Sequence, residues 1–206
     1  ISFQSLMKRK LNELQIDDPD INDYLDMSLE GSYNLNNILE KLLEFTRATN
    51  RKSLDLVPIN IKELAEQVKR EQLNQWGPDR VSVVIETDDV LINSDKEILY
   101  IIIHNLVNNG LKFNTANHPE VTITTKQDSN QTVISVSDNG IGIDQNYMDS
   151  IFEPFKRLHT KSEFNGSGLG LAIVNSFIKL LGGSVHVCSK PNHGTKFEVR
   201  IPYDAI

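Results

Sequence analysis

The stretch Asn105-Leu106-Val107-Asn108-Asn109-Gly110-Leu111-Lys112-Phe113 places three amides and an amine on an otherwise apolar segment. The run from Ile98 to Val107 is apolar on nearly every side, which is typical of a helix buried in a domain core. At about 100° per residue, Asn105, Asn109 and Lys112 lie on one face of that helix. Burial of amides without hydrogen-bond partners is costly, so this face must contact other polar groups.

Two explanations of the polar face remain open from this helix alone. Amide oxygens and an ammonium on one stripe suit a magnesium ion that keeps some waters and is shared with nucleotide phosphates. Asparagines that cap or bridge neighbouring elements would give the same pattern. Motifs further along the chain favour the first explanation.

A second motif, Asp138-Asn139-Gly140-Ile141-Gly142-Ile143, follows the alternating strand pattern of residues 133–137. A carboxylate at a strand end only accepts hydrogen bonds, and would select adenine, whose exocyclic amine donates, over guanine. Gly140 and Gly142 allow the backbone to approach a flat base closely. Taken alone, Asp-Asn-Gly is also typical of an ordinary turn.

A long connection and a glycine cluster follow. The segment from Asp144 to Asn165 has the length of a lid or binding loop, and it carries Lys156 and Arg157, which we expect at the terminal phosphate. The glycines precede a helix predicted over Leu171 to Leu181 and would expose backbone N–H groups to phosphates. Their Gly-x-Gly-x-Gly spacing fits neither the dinucleotide fingerprint nor a P-loop. The predicted phosphate-binding residues here are Gly166, Ser167, Gly168, Leu169, Gly170 and Leu171.

The four motifs, in this order, resemble the N, G1, F and G2 boxes of the catalytic and ATP-binding domain of sensor histidine kinases. The resemblance covers about Val57 to Tyr203. It implies ATP and Mg²⁺ as cofactors, with Asn109 as the magnesium ligand. It also implies that Asn105 lines the same site one turn earlier and that Lys112 reaches the phosphates.

The same resemblance implies a base site. Asp138 would hold the adenine amine, with Thr195 beside it through water. Gly110 stands where the family usually has alanine, which lowers helix propensity by about 1 kcal/mol but leaves the polar face intact. Three further residues of the Asp138 motif are expected at the nucleotide: Gly140, Gly142 and Ile143.

Asn105 bears on the type of reaction. Hydrolytic members of the same GHKL superfamily, such as chaperones and gyrase subunits, have a glutamate at this position, and a carboxylate can activate water. An asparagine cannot act as a general base, which favours phosphoryl transfer. Two alternatives remain: a hydrolytic GHKL-type ATPase, and a degenerate module that dimerises and senses nucleotide without kinase activity.

The accepting histidine is the missing part of the pattern. None of the five histidines sits in the His-acid-x-basic-x-Pro pattern expected on a dimerisation helix. We therefore expect a fragment, beginning at Ile1, that lacks its phosphoacceptor and does not phosphorylate itself. His104 is expected to be structural and His159 an exposed loop residue. The five are His104, His118, His159, His186 and His193.

The first fifty residues predict a helical hairpin. Asp18-Pro19 is a helix start, and Gln15 to Asp18 is a tight connection between a short helix and a long amphipathic one. The hairpin resembles part of the family's dimerisation and phosphotransfer bundle, which implies a homodimer through the N-terminal helices. A hairpin that folds back on its own domain is the alternative. We expect the domains to be residues 1–50 (hairpin), 51–58 (linker) and 59–206 (catalytic domain).

The expected fold class is α+β, a two-layer α/β sandwich in which a mixed sheet carries helices on one face, preceded by the hairpin. A helix is predicted over Asn60 to Trp76. Six strands are predicted at Val81–Glu86, Val90–Asn93, Val121–Lys126, Gln131–Ser137, Ser184–Ser189 and Thr195–Ile201.

Composition limits the partners. A net charge of −7 argues against nonspecific nucleic-acid binding. We expect no direct membrane contact and a cytoplasmic location, since no apolar run is long enough to span a bilayer, although a membrane anchor upstream remains open. The single Cys188 excludes an internal disulfide, and we expect it in the core. The resemblance implies a response-regulator receiver domain as partner.

Overall fold

The computed structural model describes residues 3–14, 18–50, 53–128, 130–158, 164 and 166–203. Two compact units follow one another, Ile1–Leu43 and Glu44–Ile206. Residues 15–17, which include most of the predicted hairpin connection, lie outside the described residues, as does His159 with its predicted loop role.

The first unit contains two helices, α1 (Phe3–Glu13) and most of α2 (Pro19–Asn50). The side chain of Asp18 accepts hydrogen bonds from the backbone N–H groups of Asp20 and Ile21, at 3.0 and 3.3 Å, so the predicted helix start is confirmed. Lys8 Nζ lies 2.7 Å from a carboxylate oxygen of Asp26 and links the two helices.

Large apolar side chains on these helices, and that of Leu14 directly after α1, are exposed. Leu25 is buried, but it is surrounded in sequence by apolar residues that face solvent. The exposed set is Phe3, Leu6, Met7, Leu14, Ile21, Tyr24, Met27, Leu35, Leu39, Leu42 and Leu43.

The second unit alternates helices and strands. Its elements are β1 (Leu56–Asn60), α3 (Ile61–Trp76), β2 (Ser82–Glu86), β3 (Leu91–Asp95), α4 (Lys96–Lys112), β4 (Glu120–Gln127), β5 (Gln131–Asp138), a 3₁₀ turn (Gln145–Tyr147), α5 (Gly170–Leu180), β6 (Ser184–Ser189) and β7 (Thr195–Pro202).

Five strands form a mixed sheet in the order β2-β4-β5-β7-β6. The β2–β4 pair is parallel and the other three pairs are antiparallel. Helices α3, α4 and α5 pack on the sheet, and β1 and β3 form a separate antiparallel pair. The predicted two-layer sandwich is confirmed.

The centre of the core is α4, whose apolar residues Ile98, Leu99 and Val107 are fully buried. The prediction of a buried helix around the asparagine motif is therefore confirmed. No helix in the described part of the chain is both long enough and apolar enough to cross a membrane.

Three local features differ from the sequence-based expectation. Strand β1 occupies part of the stretch predicted as a linker. Its five residues include Pro58 and give only a weak strand pattern. Proline is tolerated there because β1 and β3 form a two-stranded sheet, in which both strands are edge strands. Strand β3 continues to Asp95, the cap of α4. Cys188 is exposed, because β6 is an edge strand and its alternation turns Val187 rather than Cys188 toward the helices.

Candidate nucleotide-binding site

The amide face of α4 points at the start of α5. Asn105 is buried, and its Nδ2 donates to the carbonyl oxygen of Ile101 at 2.9 Å. The Oδ1 of Asn105 therefore faces Gly170, and a Cβ atom added to Gly170 would lie 3.1 Å from this oxygen. Asn109, one turn later, is half-buried, and its Nδ2 would lie 3.9 Å from the same added Cβ. The helix thus presents two amides to a glycine-rich turn.

Lys112 ends α4 on the same face. Its Nζ lies 4.8 Å from the centroid of the Phe113 ring, and a Cβ at Gly166 would collide with it. Burial lowers the pKa of the Lys112 ammonium, and the positive charge of Arg157 lowers it further. A phosphate group bound here would offset both effects.

The predicted lid and the glycine cluster are joined at Gly168. This glycine has a φ of 72°, and a Cβ on it would lie 2.8 Å from the carbonyl carbon of Phe155 and 2.9 Å from the carbonyl oxygen of Lys156. The N–H of Phe155 donates to the Gly168 carbonyl at 3.0 Å. Phe155 itself has a positive φ of 64°. A side chain at position 168 would break this junction.

The leucines of the glycine cluster serve packing. Leu169 is fully buried and Leu171 packs partly buried against the core, so only their backbone groups are available to a ligand. The Ser167 hydroxyl accepts the Leu169 N–H at 3.3 Å. Helix α5 begins at Gly170 without a side-chain cap, which leaves first-turn N–H groups for an anion.

The two basic lid residues differ in their surroundings. Lys156 Nζ lies 3.7 Å from a carboxylate oxygen of Glu153. Arg157 donates to the carbonyl oxygen of Phe164 at 2.8 Å, and its charge acts on Lys112. The positive charge of Arg157 therefore acts on Lys112 at the end of α4, whereas the charge of Lys156 is balanced by the Glu153 carboxylate.

Asp138 ends β5 beside α4. Its Oδ1 accepts hydrogen bonds from the N–H of Gly140 at 2.9 Å and from that of Thr195 at 3.1 Å. Burial raises the pKa of the Asp138 carboxyl, and these two hydrogen bonds act in the opposite direction. With Oδ1 held by the backbone, Oδ2 is the acceptor left for a ligand.

Gly110 lets α4 lie directly on the sheet at this point. A Cβ at this position would lie 2.8 Å from Val121 Cγ2, 2.9 Å from Asp138 Cβ and 3.3 Å from Asp138 Oδ2. The glycines after Asp138 are similarly enclosed: Gly140 faces the carbonyl of Phe113, and Gly142, with a φ of 69°, faces that of Lys190.

Sequence reasoning missed Ser189. Its hydroxyl accepts the Ile143 N–H at 2.8 Å, donates to the Gly194 carbonyl at 2.8 Å and lies 3.0 Å from Thr195 Oγ1. Ser189 thus joins the loop after Asp138 to the β6–β7 hairpin. This connection could not be predicted, because nothing in the sequence distinguishes Ser189 from any other serine at the end of a strand.

Asn139 was also missed, although it lies inside the motif. Its Oδ1 accepts from Asn114 Nδ2 at 2.7 Å and from the Glu120 N–H at 2.8 Å, and its Nδ2 donates to the His118 carbonyl at 3.1 Å. Asn139 therefore holds the α4–β4 connection to the end of β5 rather than facing a ligand.

The structural prediction for His104 is confirmed. Gln72, fully buried in α3, accepts from Trp76 Nε1 at 3.2 Å and meets His104 Nε2 at 3.0 Å. The Gln72 amide nitrogen must donate in this pair, so His104 Nε2 accepts. The ring also lies against Tyr100, with centroids 5.6 Å apart.

The residues present fit a magnesium ion. The Asn105 Nδ2 bond to a backbone carbonyl leaves an amide oxygen facing the glycine turn, and Asn109 adds a second amide. Among the described residues, no group of three or more histidine, cysteine or acidic side chains forms a metal cage. One amide oxygen, that of Asn105, with the Asn109 amide beside it, suits Mg²⁺ that takes most of its ligands from water and phosphates.

A strand-end carboxylate, an amide-bearing helix and a glycine turn on one side of an α/β sandwich define a nucleotide-binding domain. Residues 94–205, more than half of the chain, match the family described as histidine kinase-, DNA gyrase B-, and HSP90-like ATPase. The chain belongs to this ATP-binding family, and its relatives identify its domain as the catalytic domain of a sensor histidine kinase.

Two relatives illustrate the match. The autoinducer 2 sensor kinase/phosphatase LuxQ of Vibrio cholerae is 33% identical over 177 residues, which cover 82% of this chain and 21% of LuxQ. The signal transduction histidine-protein kinase AtoS of Escherichia coli is 30% identical over 190 residues, 91% of this chain and 30% of AtoS. The chain spans between a fifth and a third of the length of these relatives.

Solved structures agree with the fold. Full-length ShkA in complex with AMPPNP has a TM-score of 0.74 and 25% identity, over 92% of this chain and 40% of ShkA. Histidine kinase ThkA in complex with the response regulator TrrA has a TM-score of 0.70 and 22% identity, over 98% of this chain and 57% of ThkA, and supports the fold alone.

Proposed function

We propose that this chain binds Mg-ATP and transfers the γ-phosphate to a histidine on a dimerisation helix, for relay to the receiver aspartate of a response regulator. The observation that carries the proposal is the shared face of Asn105, Asn109 and Lys112, which meets the glycine-rich start of α5. This arrangement suits a triphosphate with a divalent cation rather than a neutral ligand.

Each end of the nucleotide has its own residues in this proposal. Asp138 Oδ2 accepts the adenine amine, while Lys112 and the N–H groups at the start of α5 bind the phosphates. Asn109, with Asn105 beside it, holds the magnesium ion. When bound, Mg²⁺ neutralises charge on the β- and γ-phosphates.

Phosphoryl transfer is preferred to hydrolysis because of Asn105. Its Nδ2 is committed to the Ile101 carbonyl, and an amide has no basic lone pair with which to deprotonate water. A histidine nucleophile needs little deprotonation, so positioning and charge neutralisation supply most of the rate. Steady phosphate release without an acceptor would favour the hydrolytic alternative.

The proposed partners rest on two observations. The apolar side chains exposed on α1 and α2 support homodimerisation through these helices, because a two-helix hairpin cannot bury both faces alone. A receiver domain as the second partner follows from the membership of the chain in the histidine kinase family, whose relative AtoS is a signal transduction histidine-protein kinase. A cytoplasmic location is proposed, because ATP and receiver domains are found there.

The binding test compares two adjacent amides. Asn109 lies near Gly170 in the glycine turn, and the helical period turns Asn108 about 100° away from it. We therefore expect Asn109→Ala to weaken Mg-ATP binding at least about tenfold and Asn108→Ala to have little effect. Isothermal titration calorimetry with and without Mg²⁺ measures both. Equal losses for the two variants would contradict the proposed magnesium site.

The transfer test supplies the acceptor. Purified chain is incubated with Mg-ATP labelled at the γ-phosphate and with a dimerisation hairpin that carries an acceptor histidine. We expect label on the hairpin and none on this chain, and we expect Asn109→Ala to abolish the labelling. Binding of ATP without labelling of the hairpin would instead support the nucleotide-sensing module.

A further inference from the structure

The hydroxyl of Ser189 has every hydrogen-bonding position occupied. A serine hydroxyl has one proton to donate and two lone pairs to accept with. The Gly194 carbonyl can only accept, so the Ser189 proton is committed to it at 2.8 Å. The Ile143 N–H, also at 2.8 Å, fills one lone pair.

The third neighbour of Ser189 must therefore be a donor. Thr195 Oγ1 lies 3.0 Å from Ser189 Oγ, and the Ser189 proton is already used. The Thr195 hydroxyl accordingly donates its only proton to Ser189. What remains on Thr195 Oγ1 is a pair of acceptor positions and no donor.

Thr195 lies beside the predicted base site. It is buried on the same side of β7 as Phe197 and Val199, the side covered by the helices. Its N–H holds Asp138 Oδ1 at 3.1 Å, which leaves Asp138 Oδ2 as an acceptor. Thr195 and Asp138 are thus in direct contact, and each has an oxygen that can only accept: Oγ1 of Thr195 and Oδ2 of Asp138.

We propose that Ser189 is a positioning residue for base selectivity: it turns the Thr195 proton away from the pocket, so that Thr195 and Asp138 together require an amino group on the purine. The proposal rests on the proposed nucleotide site. An exocyclic amine carries two N–H groups, one for each oxygen when both contact it directly. A carbonyl at that position would meet two acceptors and no donor.

The test compares ADP with IDP, whose base has a carbonyl in place of the amine. Titration calorimetry gives the ratio of their dissociation constants for the full chain. In Ser189→Ala the Thr195 proton is free to turn toward the base, and we expect the preference for ADP to fall roughly five- to tenfold. The matched control is Ser184→Ala at the exposed start of the same strand, which should keep the wild-type ratio.

A double-mutant cycle separates proton orientation from hairpin stability. In a Thr195→Val background no hydroxyl is left to reorient, so adding Ser189→Ala should leave the ADP/IDP ratio unchanged. If Ser189→Ala does not fold, Ser189→Cys removes the same hydroxyl oxygen with little change in volume and should lower the preference for ADP in the same way. Thr195→Ser, which keeps both hydroxyls, should keep the preference for ADP.

The outcomes are distinguishable. A wild-type chain that prefers ADP, with Ser189→Ala weakening ADP and IDP equally, would overturn the role of Ser189 and leave the proposed function standing. A wild-type chain that binds neither nucleotide, or both equally, would overturn the proposed base site and this inference with it. A selective loss of discrimination in Ser189→Ala, absent from the Thr195→Val background, supports both.

Discussion

Burial of the charged Asp138 carboxylate destabilises the folded chain, but in the proposed function the same carboxylate binds the adenine amine. Burial raises the pKa of its carboxyl above the ordinary value of 3.8, against the opposing hydrogen bonds from Gly140 and Thr195. Between 3.8 and the raised pKa the folded chain binds more protons than the unfolded chain. Stability contributed by this group therefore falls as pH rises through that window, and stays lower above it.

We therefore expect Asp138→Asn to stabilise the nucleotide-free chain at pH 7 and to remove this pH dependence, because the charge that is costly to bury is gone. The same change should weaken ADP binding at least about tenfold, since an amide nitrogen would face the adenine amine. Urea unfolding from pH 4 to 7 and calorimetry measure the two effects. Unchanged ADP affinity would exclude Asp138 from the base site.

Asp128, which precedes the start of β5, is a control because its pKa is shifted in the opposite direction. Its carboxylate accepts the Asn130 N–H, and this bond together with the Gln131 side chain lowers the pKa of Asp128. Its contribution to stability is present above pH 3.8 and is lost as pH falls through the lowered pKa. Asp128→Asn should therefore reduce stability at pH 7 and leave ADP binding unchanged.

Gly110 shows a conflict between helix propensity and packing. Alanine would favour the helix by about 1 kcal/mol. Its Cβ, however, would lie 2.8 Å from Val121 Cγ2 and 2.9 Å from Asp138 Cβ, and neither atom is the end of a flexible side chain. We expect Gly110→Ala to lower the free energy of unfolding by about 1–3 kcal/mol and to weaken ADP binding.

Gly31 in α2 is the matched glycine, because nothing lies within 4 Å of a Cβ there. Gly31→Ala should stabilise its helix by up to about 1 kcal/mol, as propensity alone predicts. Urea unfolding compares the two variants. If Gly110→Ala were as stabilising as Gly31→Ala, the close approach of α4 to the sheet would not be a constraint.

At the scale of elements, α3 and α4 begin with caps of different burial. Asn60 Oδ1 accepts the N–H groups of Lys62 at 2.9 Å and Glu63 at 3.3 Å. Asp95, 1% exposed, accepts the Ile98 N–H at 3.2 Å and also the Asp55 N–H at 2.9 Å. The Asp95 cap therefore ties the start of α4 to the segment before β1.

We expect Asn60→Ala to cost about 1 kcal/mol of unfolding free energy, the usual value of a helix cap. Asp95→Ala should cost about 2–3 kcal/mol, because it leaves the N–H of the fully buried Ile98 without its acceptor and also removes the acceptor of the Asp55 N–H. Chemical denaturation measures both. Equal costs would mean that water replaces the Asp95 carboxylate in its buried position.

Sequence patterns were effective for strongly periodic elements and weak for short ones. Helix α4 was recognisable because its apolar run and polar stripe are both long. Strand β1 was not, because five residues with a proline do not distinguish an edge strand from a linker. The burial of Cys188 was wrongly predicted, because alternation alone does not say which face of an edge strand meets the helices.

At the scale of the whole molecule, the chain divides into two compact units at Leu43 and Glu44, and every residue assigned to the nucleotide lies in the second. The first unit carries many exposed apolar side chains. The two proposed roles, self-association and nucleotide binding, are therefore separable by truncation.

We expect residues 44–206 to fold alone and to bind ADP within about twofold of the full chain, as a domain with its own core should. The full chain should associate with itself and the truncated chain should be monomeric. Sedimentation velocity and calorimetry measure these properties. A truncated chain that still dimerises would contradict dimerisation through the N-terminal helices.

The sequence by itself determined the fold class, the family resemblance and most candidate residues, because these depend on periodicity and on chemical groups at fixed spacing along one element. Only the tertiary structure decided that Asp138 Oδ1 is held by Thr195, that Gly110 is closed in by Val121, and that Ser189 connects two loops. These contacts join residues far apart in the chain. Their geometry depends on strand register and on how closely α4 approaches the sheet, which local sequence patterns do not encode.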